Sequence, residues 1–464
     1  MKIARRYPLL ILFVCALLSQ HQLWSQVRNS EEAAQKMGHL MYFIETYYND
    51  STSLDQLTDQ AIKAIMQQLD PYSVYVPTDE LAAMNEPLDG EFEGIGIEFA
   101  IVSDTLVVQA VVAGGPSERV GLLPGDRIVG VDGACISSDS LTIDRVRQLL
   151  RGPSGSKVQL QVLRKRSASE LVFTVTRDKI PLHSLDAAYL TDEGFLYLRL
   201  SRFAHKTGEE LHQALDRFAS AKGIILDLRG NTGGFLHAAL EVANEFLERG
   251  QLIVYTQGRS VKPIREYADG SGLYQEGPLV VLVDEYSASA SEIVAGAIQD
   301  WGRGAVIGRT TFGKGLVQQP FPLPDGSQVR LTVAGYHTPS GRKLERDNGI
   351  QPDIAVPADT LSHSDAYVEL ISSGALLEFV NQKALEVRET LLACYPSSRE
   401  YVRRFEVDKA WLTELTASEQ ARGEVKLLVK AILGRILYEQ ATYYQVLQQE
   451  GDPEFDAAVA YLVD

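Results

Sequence analysis

Three serines alternate with alanines in EYSASASEI, residues 285–293, directly after the apolar run LVVLV at 279–283. A strand ending at 283 and a helix beginning near 289 put these serines at a strand-to-helix turn. Such turns lie at the carboxyl ends of strands, where α/β sheets place their ligands. The helix N-terminus adds unpaired N–H groups and a positive dipole end, both suited to an oxyanion. The same stretch reads equally as a plain helix start, because Ser289 followed by Glu292 fits a capping box. From these residues alone, nucleophile and cap both stand.

A second turn, LRGNTGG (228–234), also joins a strand to a helix, and its glycines leave backbone N–H groups accessible. Together the two turns could supply a serine and a two-donor oxyanion hole. A base is still needed. Lys314 sits in TFGKG between glycines, near apolar Phe312, Leu316 and Val317. An ordinary lysine, with a pKa of about 10.4, is a poor base. Burial lowers that value by as much as about 3–5 units, and a neutral lysine beside a serine is a workable activating pair. Most lysines are solvated surface charges, so this is one option among several. A serine–histidine–aspartate triad assembles in space and stays open as well. The eight histidines are scattered, and none has metal-ligand spacing.

Other motif matches fail on context. GRTTFGKG (308–315) fits part of a phosphate-binding loop, but Gly315 stands where a magnesium-holding Ser or Thr belongs. The following LVQQPFPLPDG carries three prolines, so no helix start can cradle phosphates there. Ser154–Lys157 and Ser340–Lys343 have Ser-x-x-Lys spacing but lie in glycine-containing turns, not on one helical turn. No Gly-x-Ser-x-Gly elbow and no His-Glu-x-x-His occurs.

The elements that must position these turns alternate between β and α over residues 179–360: FLYLRLSRF, TGEELHQALDRFAS, GIILDLRG, FLHAALEVANEFLERG, LVVLVDE, SEIVAGAIQDWG and AVIGRT. That order predicts a largely parallel layered sheet. Residues 91–178 read instead as five short strands and one helix, TIDRVRQLLRG, in a small β module. Apolar positions at helical spacing mark residues 29–70, and Asp70-Pro71 ends that region before a polar stretch running to about Gly90. Helical patterns return from about 361 to 464. The chain thus reads as multidomain α+β, with segments 1–25, 26–90, 91–178, 179–360 and 361–464.

Segment 1–25 has Lys2, Arg5 and Arg6 ahead of the short apolar run Leu9–Leu18, the pattern of a secretory signal cut near Ser25. An uncleaved anchor is the competing reading. Of the 464 residues, 45% are apolar and 23% charged, which suits a protein with sizeable cores. The net charge of −17 argues against nucleic acid as a partner. Outside the leader only Cys135 and Cys394 remain. They form neither a disulfide framework nor a metal site and read as buried small apolar residues.

With these stretches in hand, the chain resembles the carboxy-terminal processing, or tail-specific, proteases over roughly residues 35–355. The resemblance rests on LDPYSVYV, GEFEGIGIEF, GGPSERVGLLPGDRIVGVDG, DLRGNTGG, YSASASEIVAGAIQDWGRGAVIGRTTFGKGLVQ and LTVAGYHTPSGRKLE, in family order. It implies an exported serine–lysine endopeptidase with a crotonase/ClpP-like β/α core and an inserted PDZ domain, working without cofactor or metal. Carried over by position, it implies Ser289 as nucleophile, Lys314 as general base and Gln318 as a supporting residue. Ala290 and a glycine of NTGG, Gly233 rather than Gly234, would hold the oxyanion. Gly94, Ile95, Gly96 and Ile97 resemble the PDZ loop that accepts a peptide C-terminus by strand addition; a glycine-containing strand is the alternative there. The resemblance further implies unfolded or tagged protein C-termini as substrates and a periplasmic or cell-envelope location. Residues 361–464 lie outside the shared part, and a homo-oligomer or adaptor contact is the expectation for them. Two rivals remain: a PDZ-based binding protein that delivers tails without cutting, and a serine acyltransferase or β-lactamase-like enzyme acting on small acyl donors.

Overall fold

Runs such as LVVLV, IILD and AVIG lack the polar alternation of a half-exposed strand, so a sheet built from them must be covered on both faces. A computed structural model describes residues 30–463, apart from 103, 113, 137–140, 165–168, 347 and 359–362. The leader expected at 1–25 lies outside the described residues. Among the described residues two units can be distinguished, one up to residue 78 together with 320–331, the other 79–319 together with those from 332 onward.

In the first unit, helices cover residues 30–47 and Leu54–Gln67, and Ser53 caps the second by accepting from Gln56 N–H. The strand Val74–Val76 pairs antiparallel with the start of Gln328–His337, Val74 opposite Arg330.

The second unit contains the layered sheet. Its strand order is Leu185–Leu190, Leu196–Leu200, Ile224–Asp227, Leu279–Val283, Ala305–Gly308 and Ile354–Ala355. The first pair is antiparallel and every later pair parallel. Helices Thr207–Arg217, Leu236–Asn244 and Ala290–Asp300 bury their apolar sides against one face, meeting Leu198, Leu226, Val281 and Val306. The opposite face, with Tyr197, Ile225, Val280 and Ile307, is closed by Ala441, Phe455 and Ala458 from helices Gln440–Gly451 and Pro453–Val463. The C-terminal helices therefore complete the core of the layered sheet. A further apolar cluster, centred on Tyr401, Val425 and Leu433, binds the remaining C-terminal helices to one another.

The β module spans the strands Ile97–Val102, Thr105–Val111, Arg127–Val131, Lys157–Leu163 and Leu171–Thr176 in sheet order, with Ala134–Cys135 added beside Arg127–Val131. The run FEGIGIEFAIV breaks into two strands at Gly94–Gly96, and Glu91–Gly94 pairs with Asp178–Pro181 at the module's entry and exit. Helix Ile143–Leu150 buries Val146 and Leu150 in the module.

The polar stretch before Gly90 contains a helix, Thr78–Asp89, with Asp79 and Glu80 in its first turn, where they complement the helix dipole. One expectation fails: Cys135 and Cys394 are both exposed, one on the edge pair Ala134–Cys135 and the other ending helix Ala375–Cys394. Their positions at element ends, not the apolar character of the thiol, decide their exposure. No helix among the described residues is long and apolar enough to cross a membrane.

Phe455 meets the Tyr197 ring edge-on at a centroid distance of 5.9 Å. Phe455→Ala should destabilise the protein by roughly 3 kcal/mol through the cavity left on that face. Exposed Val463→Ala should stay within about 0.5 kcal/mol. Differential scanning calorimetry of the two variants compares them directly.

Candidate active site

The three serines of the 285–293 run have different fates. Ser287 is fully buried; its hydroxyl donates to Leu228 O at 2.9 Å. Ser291 is equally buried and donates to Asn231 O at 2.8 Å. Both therefore bind the serine turn to the LRGNTGG turn through backbone carbonyls. Asp284 adds to the same seam, accepting from Gly230, Tyr286 and Ser287 N–H at 2.9–3.0 Å. Only Ser289, between them, is partly exposed.

Ser289 is also conformationally marked. Its φ of 56° makes it one of three non-glycine residues with positive φ among the described residues, the others being aspartates in turns. Aspartate tolerates this region through local hydrogen bonding, whereas serine held there stores about 1–3 kcal/mol of strain. The turn delivers Ser289 to the start of helix Ala290–Asp300, where Ala290 N–H heads the donors a helix leaves unpaired.

Gly233 lies directly against this point. A Cβ there would fall 2.8 Å from Ala288 O, 2.9 Å from Ser289 Cβ and 3.1 Å from Ala290 N, so only glycine permits the approach. Its own N–H donates to Asn231 Oδ1 at 2.9 Å. Gly234 is squeezed against Phe203 instead, a Cβ there falling 2.1 Å from Phe203 O.

The lysine loop reaches the same place through Glu292. This carboxylate has no solvent exposure, yet sits in the first turn of the helix that follows Ser289. One oxygen, Oε2, accepts Ser289 N–H at 2.9 Å and Lys314 N–H at 2.8 Å. The other accepts Gly313 N–H at 2.7 Å and the Thr311 hydroxyl at 2.6 Å. Phe312 N–H donates to Ser287 O at 3.0 Å, a further tie between loop and serine turn. Lys314 is half-buried; desolvation lowers its pKa from the ordinary value, and the nearby Glu292 charge opposes that shift only in part. Gln318 lies half-buried on the strand Leu316–Pro322 that leaves the loop. GRTTFGKG thus runs into a strand and starts no helix, as the prolines that follow it require.

Sequence reasoning saw Glu292 as half of a capping box and stopped there. The structure gives it that bond and three more, which only the fold of the distant lysine loop could reveal. Thr311 was missed for the same reason, and Asn231 and Asp284 because their bonds join two turns more than fifty residues apart.

The GIGI stretch forms a separate place in the β module. Gly96 has a φ of +71°, and a Cβ there would meet Ile180 Cδ1 at 2.9 Å. Ile95 is buried, and its carbonyl accepts both Ser117 N–H and the Ser117 hydroxyl. Gly96 O accepts Val112 N–H, so both carbonyls are consumed inside the module. Ile97 opens the strand Ile97–Val102, which stands at the sheet's edge, with Thr105–Val111 on its other side.

The profile of peptidase family S41 matches residues 194–356, and that of the PDZ domain residues 107–164. The chain is 35% identical over 347 residues to a carboxy-terminal-processing protease of Bartonella bacilliformis, covering 73% of this chain and 79% of that protein. It is 36% identical to a carboxyl-terminal-processing protease of a Synechocystis species, covering 66% and 73%. Among solved structures, the photosystem II D1 C-terminal processing protease is 31% identical over 68% of this chain and 86% of that one, with a TM-score of 0.41.

Glu292→Gln replaces an acceptor-only group facing four donors with one that must turn an N–H₂ toward some of them. Peptide turnover should fall by about 10²-fold as the serine turn and lysine loop part, with circular dichroism showing a folded chain. Near-normal turnover in that variant would mean the shared carboxylate does not set the site.

Proposed function

Because the chain belongs to the peptidase family S41 of carboxy-terminal processing proteases, with a PDZ domain, an S41 core and C-terminal helices, we propose that it is an exported endopeptidase working through a Ser289–Lys314 dyad. The observation that carries the dyad is the single Glu292 oxygen that accepts both Ser289 and Lys314 N–H. It ties the backbones of the two residues to one atom.

In this reading neutral Lys314 takes the Ser289 proton as Oγ attacks the scissile carbonyl carbon. The carbonyl oxygen becomes an oxyanion held by Ala290 N–H and an N–H of the NTGG turn. Gly233 is the nearer glycine, and its N–H would have to leave Asn231 Oδ1 to serve; Gly234 is the other candidate. The Lys314 ammonium then gives its proton to the leaving amine and an acyl-enzyme remains. Water attacks this ester, losing a proton to Lys314, and the Lys314 ammonium returns a proton to Ser289 Oγ as the acyl C–Oγ bond breaks and the product leaves with its new carboxylate. Gln318 supports Lys314, and a hydrogen bond to the neutral amine would help select that form.

The PDZ domain takes the substrate's tail. A free C-terminal carboxylate meets the N–H side of residues Ile95–Ile97 while the peptide adds to the edge strand Ile97–Val102. The substrates are then unfolded or tagged proteins recognised by their C-termini. The basic and apolar start of the sequence supports export to the periplasm or cell envelope.

Ser289→Ala and Lys314→Ala should each lower turnover of an unstructured, apolar-tailed substrate by roughly 10⁴-fold or more, with fragments identified by product sequencing. Unchanged cleavage in either variant would overturn the dyad. A protonated Lys314 cannot accept a proton, so kcat should fall as pH drops through its lowered pKa. The acid limb should therefore lie below the ordinary lysine value of 10.5. Amidating the substrate's C-terminus should raise KM by about tenfold through loss of the carboxylate's charge-assisted bonds, whereas a non-cleaving adaptor would release no fragments from either form.

A further inference from the structure

The turns that carry the candidate site leave three neighbouring strands, and each has a charged residue just past its strand end. Arg229 follows Ile224–Asp227, Glu285 follows Leu279–Val283, and Arg309 follows Ala305–Gly308. All three are drawn into one ion network whose anchoring acids, Asp452 and Glu454, lie just before and at the start of the last helix, Pro453–Val463. Arg229 makes a two-pronged contact with Asp452, NH1 to Oδ1 at 2.7 Å and NH2 to Oδ2 at 2.8 Å. Glu454 Oε2 lies 3.4 Å from Arg229 NH1, and its other oxygen binds Arg309 NH1. Arg309 Nε in turn donates to Glu285 Oε2 at 2.6 Å.

The Arg229–Asp452–Glu454 part of the network is largely out of water, whereas Glu285 at its rim is exposed. The Arg229 side chain is 14% exposed and that of Glu454 9%. Beneath them Asp227 is fully buried; burial alone would raise its pKa, but Arg229 and Arg199 outweigh that and hold it well below the carboxylate range. Tyr197 completes its shell, donating its hydroxyl at 2.6 Å. Guanidinium groups buried to this degree need fixed anions, and removing one partner leaves an uncompensated charge beside the turns.

We propose that Asp452 and Glu454 are positioning residues for the protease site. By bracing Arg229 and Arg309, they set the NTGG turn in register with the serine turn and the lysine loop. They touch no reacting atom. Their effect is exerted through three strand-end turns that Phe455, buried on the same helix, keeps within reach. This role rests on the serine–lysine reading and extends the catalytic unit to residues far beyond the matched family segment, which ends at 356.

The test compares Asp452→Asn/Glu454→Gln, Glu454→Gln alone, Asp192→Asn and Ser289→Ala in the full chain. Each is assayed on a fluorogenic peptide with an apolar tail and a free C-terminal carboxylate. A misplacement near 1 Å is worth about 10²-fold, so the double variant should lose roughly 10–100-fold in kcat, with KM and tail-peptide affinity within twofold of wild type. Glu454→Gln alone should lose part of this, and it decides the matter should the double variant not fold. Asp192, which pairs with Arg399 and Arg403 at the exposed surface, should be silent. If kcat per folded molecule stays within twofold while only the melting temperature drops, the network is a stability device and the proposal fails. If Ser289→Ala is as active as wild type, the serine–lysine reading itself fails, an outcome distinct from the first.

Discussion

A carboxylate fully removed from solvent must have its hydration replaced bond for bond, and Glu292 meets that requirement with four donors drawn from two segments more than twenty residues apart. The constraint works in both directions. Serine turn and lysine loop must be in place before the charge is tolerable, and the charge holds them once they are. Its sign matters too. A negative group beside Lys314 favours the ammonium, yet burial still lowers the lysine's pKa, so desolvation is the stronger of two opposed effects.

The rest of the second unit serves this juncture by fixing where the strands end. A parallel sheet covered on both faces has little freedom to shift its strands, because each carries buried side chains on either side. One cover is the set of helices between the strands, including the helix that starts at Ser289. The other arrives from the far end of the chain, through Phe455 and Ala458. The acids at the start of that last helix meet Arg229 and Arg309 in the strand-end turns, so the segment that covers the sheet face also braces those turns.

Much of this was legible in the sequence, and its limits have physical causes. Alternating β and α signals gave the layered sheet, since apolar runs and glycine turns are local features. FEGIGIEFAIV could be read as β but not divided, because the break depends on Gly96 adopting positive φ against Ile180. The positions of Ser289 and Lys314 came from a family resemblance; their backbone connection through Glu292 did not, since a capping box and a buried four-bond acceptor look alike in one dimension. The C-terminal helices were legible as helices, but a helical period does not say which sheet a helix covers. The cysteines were misread because composition predicts average burial, while exposure was set by strand edge and helix end.

On the proposed serine–lysine reading, the glycines around Lys314 follow from the choice of base. A histidine ring has a short stem and few rotamers, so a modest backbone can aim it. Lysine carries about 2 kcal/mol of rotamer entropy along a four-carbon stem, and a loose backbone would add to the uncertainty at its amine. Here the backbone is clamped from three sides. A Cβ at Gly313 would lie 2.0 Å from Glu345 O, and one at Gly315 would lie 2.0 Å from Leu344 O. Tyr336 N–H donates to Gly315 O at 2.7 Å, while Lys314 N–H is held by Glu292. Such close contact is open only to glycine, and it removes main-chain freedom that a flexible side chain cannot remove for itself. On that reading the glycines flanking Lys314 serve a purpose distinct from turn geometry: the immobility that the side chain lacks is built into the backbone.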